Sequence, residues 1–569
     1  MAAGEGKDQD AAAQISGDES KGQFQAGDFE LKLNGIELED VSLHYDDAQE
    51  DVSIKLDDLA VKVGELVAGT PVPLRVSFKL KNAKPVLDLS FKMSTDMTFS
   101  ADFQRLDLAA LAIDLDAAGE GLPAEGVKLA MAANVGLDKP QGVLALSDLS
   151  VSGLNTDMTG DLSVTQLNGK PKLEAKLALQ DTNLKSLLQL VGVSVVTTDP
   201  KALTRVSCNV FVVKQGDTLT AKPVTIKLDD SRLDGSVQVL SFAGPVVKAD
   251  FKLDAINLDR YLPPATEQQA EQGGEHKEPA AKKSEKPDFT ALRKLKLDAS
   301  FSIGNLQLNG LKMEKIILKV RSRKGVLSMD PISALLYEGQ LNGNVKLDVR
   351  KDSPLFSAKQ NLSGIQIEPL LKDLTGKAQL RGTGNVKADI SSQGLHDATI
   401  KRNLNGRFSI DFRDGAYIGF NLAQAIRKAT GQAASDEPQT TDFAELRGTG
   451  VVKQGVITNN DLYLASPALR VTGKGKVDLV KEQVDYLLTT KIVGSLQGQG
   501  GLKNLKGVAI PVRIRGDLNN PSPTVDLEAA LKANAEHKLK EKKQELQEKA
   551  KEKLQEKLGT DMLKGLFGR

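Results

Sequence analysis

The sequence predicts a mainly β fold: an elongated antiparallel sheet, twisted and curved, built of repeated groove-shaped units with short helices and one long carboxy-terminal helix. Three observations carry that expectation. Between residues 295 and 349 the apolar residues Leu295, Leu297, Ala299, Phe301 and Ile303 fall at a strict period of two, the pattern of a strand with one greasy and one wet face. The alternation breaks at Gly304-Asn305, resumes at Leu306 and Leu308, breaks at Asn309-Gly310, and returns at Leu311, Met313, Ile316, Leu318 and Val320. Gly, Asn and charge at each break signal a turn or a bulge. Residues 34–43 also match residues 309–318 position for position in polarity, so one supersecondary unit recurs along the chain.

In chain order, residues 1–27 are polar and small and are expected to be disordered. A first β half spans residues 28–262. It opens with Phe29, Leu31 and Leu33, continues past Asn34-Gly35 and Glu39-Asp40, and runs on through strands at 76–80, 87–91 and 97–103. A weak helical interruption is expected at 107–111, where the apolar period lengthens. A stronger one lies at 182–192, with a polar N-cap and a Gly192 stop. A helical turn is expected at 258–262. Residues 263–288 carry almost no apolar side chain and read as a flexible polar linker.

The second β half spans residues 289–525, with a one-turn helix at 368–374 and the alternating set Phe408, Ile410 and Phe412. A turn is expected at Asp414-Gly415, then a helix capped by Asn421. Gly382-Thr383-Gly384 and Gly448-Thr449-Gly450 lack the third glycine or the Lys-Ser/Thr of phosphate-binding loops, so they read as turn glycines. Residues 526–569 form a charged amphipathic helix. Its apolar tip, with Leu563, Leu566 and Phe567, is suited to dip into a membrane interface or to cap the strands.

Composition removes several functional classes. Lys plus Arg and Asp plus Glu both number 75 in 569 residues, which leaves no global field for nucleic acid. Cys208 is the single cysteine, so no intramolecular disulfide and no thiolate metal cluster can form. The four histidines, His44, His276, His396 and His537, are scattered without ligand spacing. Carboxylate pairs such as Asp57-Asp58 and Asp229-Asp230 have no neighbouring base or apolar context to split their pKa values. No catalytic residue, cofactor site or metal site is assigned, and the chain reads as a non-enzyme. The start has no cationic region before an apolar core, and no stretch approaches the roughly 18 apolar residues of a membrane span.

What remains is the apolar face itself. Two such faces can close on each other as a sandwich. A single sheet of many strands instead twists and curls into a trough, and an apolar trough suits lipid tails. Candidate lining positions are Leu295, Leu297, Phe301, Ile303, Leu306, Leu308, Phe408, Ile410 and Phe412.

The unit from Leu297 to Val349, then NLNGRFSIDFRDGAYIGFNLAQAIRKATG, VVKQGVITNNDLYLASPALRVTGKGKVDL and IPVRIRGDLNNPSPTVDL, resembles the carboxy-terminal half of the AsmA family of bacterial envelope proteins. The likeness extends more faintly from about Phe29 to Leu527. It implies a periplasmic protein anchored in the inner membrane and a repeated β-groove similar to TamB and to chorein-type bridges. It further implies carriage of phospholipid between inner and outer membranes in support of outer-membrane biogenesis. An alternative is a scaffold or chaperone-like factor that helps outer-membrane protein assembly through exposed edge strands. The amino-terminal membrane anchor usual in the family has no counterpart in these residues, so anchoring is an expectation for the natural protein.

Overall fold

A computed structural model describes residues 34–47, 52–123, 126–190, 192–264, 287–429, 438–493, 508–518 and 520–526, with parts of 528–553. The first half supplies β1 (Ile36–Asp47), β2 (Val52–Val63), β3 (Val72–Ala83), β4 (Val86–Phe99), β5 (Arg105–Gly119) and β6 (Val127–Asp138). It continues with β7 (Val143–Gly153), β8 (Thr156–Thr165), β9 (Lys172–Thr182), β10 (Val206–Gln215), β11 (Thr218–Leu228), β12 (Ser231–Ser241) and β13 (Val246–Asn257). The second half holds β14 (Lys296–Leu308), β15 (Leu311–Arg323), β16 (Val326–Leu336), β17 (Gly339–Asp348), β18 (Leu355–Gln366) and β19 (Leu380–Gln393). It ends with β20 (Asn405–Ile418), β21 (Thr440–Lys453), β22 (Val456–Ala465), β23 (Leu469–Asp478), β24 (Gln483–Ile492), β25 (Ala509–Asp517) and β26 (Ser522–Val525).

All of these strands belong to one 26-stranded sheet that does not close on itself. Each strand pairs antiparallel with the next, with one exception: β13 and β14 run parallel, Val246 opposite Lys296 through Asn257 opposite Gln307. The chain leaves β13 at one end of the sheet and re-enters β14 at the other, as a parallel pair requires. The two halves therefore share a hydrogen-bonded sheet, although most of the polar segment between them lies outside the described residues. Asp259 fastens the joint by accepting hydrogen bonds from the N–H of Asn309 (2.5 Å) and Gly310 (2.9 Å) and from Gln307 Nε2 (3.2 Å).

The sequence repeat is visible in the backbone. Gly35 and Gly310 both have positive φ just ahead of β1 and β15, and five residues further on Asp40 (φ 55°) and Lys315 (φ 50°) do so again inside the strands. Positive φ at a non-glycine is costly and re-aims the chain. Asp58, Ala110, Asp148 and Asp414 repeat this within β2, β5, β7 and β20. At the kinks of β1, β2, β5, β7 and β15 the apolar residues step by three instead of two, as from Leu38 to Val41 or Met313 to Ile316. The break at Asp414-Gly415 is thus a kink inside β20, and that at Gly304-Asn305 lies within an unbroken β14 across from the Lys315 kink of β15, whereas Asn309-Gly310 is a true turn.

The same device corrects the helix expected at 107–111. Leu108 and Leu111 are three apart because Ala110 kinks β5, and a helix-like spacing results without a helix. The kink is held by side chains: Ala110 N–H donates to Asn134 Oδ1 (2.9 Å), Asn134 Nδ2 to Asp148 (2.9 Å), and Asp148 N–H to Asp161 (3.2 Å). The strand expected at 97–103 also ends early, at Phe99, with Phe103 in the turn that follows.

The helices stand at the two rims of the sheet. α1 (Leu184–Leu190), a 3₁₀ turn (Leu258–Arg260), α3 (Ile367–Thr375) and α5 (Leu422–Ala429) lie at one rim, and α2 (Thr290–Lys294) and α4 (Asp397–Arg402) at the other. Their caps match the sequence: Asn421 Oδ1 accepts from Gln424 N–H (2.8 Å), and Gly376 ends α3 in the left-handed conformation. In the tail, residues 542–553 form helix α6. No helix of the described residues is long and apolar enough to cross a membrane.

Candidate functional site

Cross-strand partners share a face, so the ladder shows which side chains lie in line. Starting from Leu38, the partners run Val61, Val76, Met93, Ile113, Met131, Val151 and Met158 through β8. They continue as Leu179, Cys208, Ile226, Leu233, Leu253, Ile303 and Ile316 through β15. Neither a charge nor a hydrogen-bonding polar side chain other than the Cys208 thiol interrupts this row. At ~4.8 Å per strand it extends about 65 Å. From Val61 to Ile303 every member is half-buried. A parallel row places Phe78 against Phe91 (ring centroids 4.9 Å apart) and Phe251 against Phe301 (5.9 Å).

The carboxy-terminal end is covered. Phe412, Leu464, Val471, Ile510 and Val512 form one buried cluster with Leu422 and Ile426 of α5 and Ile367 of α3. Ile426 is 1% exposed and Ile510 fully buried. An eight-residue helix is about 12 Å long, and a flat sheet would set β21 and β26 about 24 Å apart. α5 nevertheless touches both, so the apolar face of β21–β26 curls inward around it.

The proposed lining residues divide accordingly. Leu297, Phe301 and Ile303 lie on the open apolar face, while Leu295 sits at the rim as the C-cap of α2. Leu306 pairs with Met313, which packs against the buried cluster, and Leu308 with Leu311 beside the hairpin turn. Phe408 lies across from Gly450, whereas Ile410 and Phe412 belong to the covered end. The tail-tip residues Leu563, Leu566 and Phe567 lie outside the described residues.

Sequence reasoning missed the first-half members of the row, among them Met93, Met131, Met158 and Cys208. Two-residue spacing with an occasional step of three would have found them. It also misplaced the Gly-Thr-Gly pairs, which lie inside β19 and β21. A Cβ on Gly450 would overlap the Phe408 ring, and one on Gly384 would meet Phe412 and come within 2.7 Å of Ile367. These glycines let rings lie flat across the sheet.

Burial in this apolar setting pushes the Cys208 thiol above its usual pKa. The opposite face is laced with cross-strand ion pairs, including Lys79–Asp58 (2.9 Å) and Arg513–Asp485 (2.9 Å). A hollow of about 780 Å³ is lined both by polar residues, among them Asp148, Ser150, Asp161 and Lys176, and by the apolar Leu149, Leu177, Val210 and Phe211. Near the covered end, Tyr486 donates to Asn459, and burial first, then the Asp461 charge, push its hydroxyl up to about 12.

An open sheet with one continuous apolar face, plugged at one end by rim helices, defines an elongated β-trough protein. The chain belongs to the AsmA family, whose sequence pattern matches residues 6–462. It is similar to protein AsmA of Escherichia coli (strain K12), 22% identical over 340 residues that cover 57% of this chain and 55% of that protein. The chain thus spans about half the length of the curated relative it matches.

Proposed function

We propose that this protein is a non-enzymatic carrier that shields phospholipid acyl chains in its apolar trough, within the bacterial envelope, and so supports outer-membrane biogenesis. The observation that carries the reading is the uninterrupted row from Leu38 to Ile316, half-buried from Val61 to Ile303 across thirteen strands. Exposing about 15 methylenes to water costs on the order of 12 kcal/mol at ~0.8 kcal/mol each. A trough that covers one side of the chain throughout its path lowers that barrier without any reacting group. Membership of the AsmA family supports an envelope setting, with inner and outer membranes as donor and acceptor and an inner-membrane anchor.

The test is mass spectrometry of lipid extracted from protein purified without detergent, coupled to alkylation of the native Cys208 thiol. Phospholipid is expected in the extract, and its removal is expected to speed Cys208 alkylation. A lipid-free protein whose Cys208 reacts at one rate before and after delipidation contradicts the reading.

A second reading rests on β1. Among the described residues this twelve-residue strand pairs on one side only, and Leu43 (64% exposed) and Tyr45 face solvent. Such an edge is suited to receive a partner strand, which fits a scaffold for outer-membrane protein assembly. A photo-crosslinker at His44 that captures barrel proteins would favour it; one that captures none would remove it.

A further inference from the structure

α1 stands at the same rim as α3 and α5, yet it is treated differently by the fold. α3 and α5 turn Ile367, Leu422 and Ile426 down into the buried cluster. α1 buries none of its residues. The segment it opens, residues 186–198, contains no charged side chain. In the loop beyond it, Val193 is 47% and Val196 63% exposed.

The base of this loop is held firmly. Lys185 Nζ donates to Thr197 Oγ1 (2.6 Å) and the Pro200 carbonyl (3.0 Å), and Thr198 N–H donates to the Leu262 carbonyl (2.7 Å). Arg260 pairs with Asp199 (2.7 Å) and Asp230 (2.9 Å). Asp229 accepts from the N–H groups of Leu203, Thr204 and Arg205 and from the Tyr261 hydroxyl (2.9–3.1 Å). A clamped polar base therefore presents an aliphatic, charge-free tip. At this base the cations Lys185, Lys201, Arg205 and Arg260 stand with the carboxylates Asp199, Asp229 and Asp230; Arg205 pairs with Asp230 (2.8 Å), while Lys201 is exposed. The two strands that carry the loop, β9 and β10, place Leu179 and Cys208 in the middle of the apolar row.

From this anatomy we infer that the 186–196 tip docks on a phospholipid bilayer surface. Leu190, Val193 and Val196 enter the interfacial layer and Lys201 faces the headgroups, which sets the rim of the trough against the source or acceptor of its lipid. Small aliphatic side chains with cations behind them are the chemistry of an interfacial contact. Exposed polar side chains at the described part of the tip are limited to Gln189 and Ser194. The inference rests on the lipid-carrier reading for its purpose but is measured separately.

The test uses the full chain and vesicles of phosphatidylethanolamine and phosphatidylglycerol at about three to one. Flotation is compared for the wild type and the double variant V193D/V196D, both positions being exposed, with thermal unfolding compared to establish intact folding. In parallel, S194C in a C208S background carries an environment-sensitive fluorophore. The expected result is at least a tenfold loss of vesicle-bound protein in the double variant, bound-lipid content after purification unchanged, and a fluorescence rise at position 194 on adding vesicles.

Equal flotation of variant and wild type, absence of flotation in the wild type, or a silent probe at 194 overturns the inference. So does a variant that loses its bound lipid yet still floats, because the tip would then be a lid on the trough. Flotation that depends on the tip, in a protein that purifies free of lipid, would uphold docking and sink the carrier reading alone.

Discussion

The first thirteen strands and the last six carry the same alternating pattern but end in opposite states. Along β2–β13 the apolar row is half-buried, in β1 it is exposed, and no helix folds over either among the described residues. Along β21–β26 an equivalent face is sealed by α5. Among the described residues the first half has no buried cluster comparable to that of Phe412, Ile426 and Ile510. The difference lies in the rim helices and not in the strands. Where a helix turns aliphatic residues down into the sheet, as α5 does with Leu422 and Ile426, the face becomes a core; where it buries none, as α1 does, the face stays a trough. One end gains its stability from packing and the other keeps its apolar surface available.

Substitutions can break this contrast. The largest effect is expected at the sealed end. Phe412→Ala should destabilise that region by about 3–5 kcal/mol, read as faster hydrogen exchange across β19–β21. Phe301→Ala, in the half-buried face, should cost less, since its ring is only partly buried and no helix seals it. Equal losses would erase the distinction between core and trough.

Next in size is Gly450→Val. Its side chain collides with the Phe408 ring and should cost about 1–3 kcal/mol, with the change in exchange confined to β20 and β21.

The joint between the halves should respond to acid. Burial raises the Asp259 carboxyl, but the N–H groups of Gly310 and Asn309 outweigh it and hold the group below its ordinary pKa. A carboxyl so lowered stabilises the fold above its unfolded value near ~3.9 and loses that contribution as pH falls through the lowered folded value. Exchange of the Asn309 and Gly310 amides should therefore accelerate below about pH 4 relative to amides in β22–β24. The smallest effect is kinetic. With its thiol pushed up by burial, Cys208 should alkylate more slowly at pH 8 than a free thiol, and its rate should keep climbing at higher pH.

Much of this was legible in the residues. Strict alternation at Leu297, Phe301 and Ile303 fixed the strands, Asn309-Gly310 fixed a turn, and Asn421 with its following aliphatic face fixed α5. Three features were obscured for one shared reason. A kink with positive φ shifts the alternation by one residue, so β5 imitated a helix at Leu108 and Leu111, Asp414-Gly415 imitated a turn, and Gly304-Asn305, across from the Lys315 kink, imitated another. Glycines inside strands were hidden too, because Gly450 and Gly384 serve facing rings that are distant in sequence. The parallel β13–β14 joint and the split between open and sealed faces depend on which helix folds inward. Periodicity does not carry that information.

The central claim is that the open stretch holds lipid and the sealed stretch does not. Photo-crosslinking side chains placed at Phe78, Phe251 and Phe301 in the first group, and at Phe443 beneath the helices, address it directly in cells. The account predicts phospholipid adducts at the first three and only intramolecular crosslinks at Phe443. Adducts absent from all four positions, or formed equally at Phe443, would contradict it.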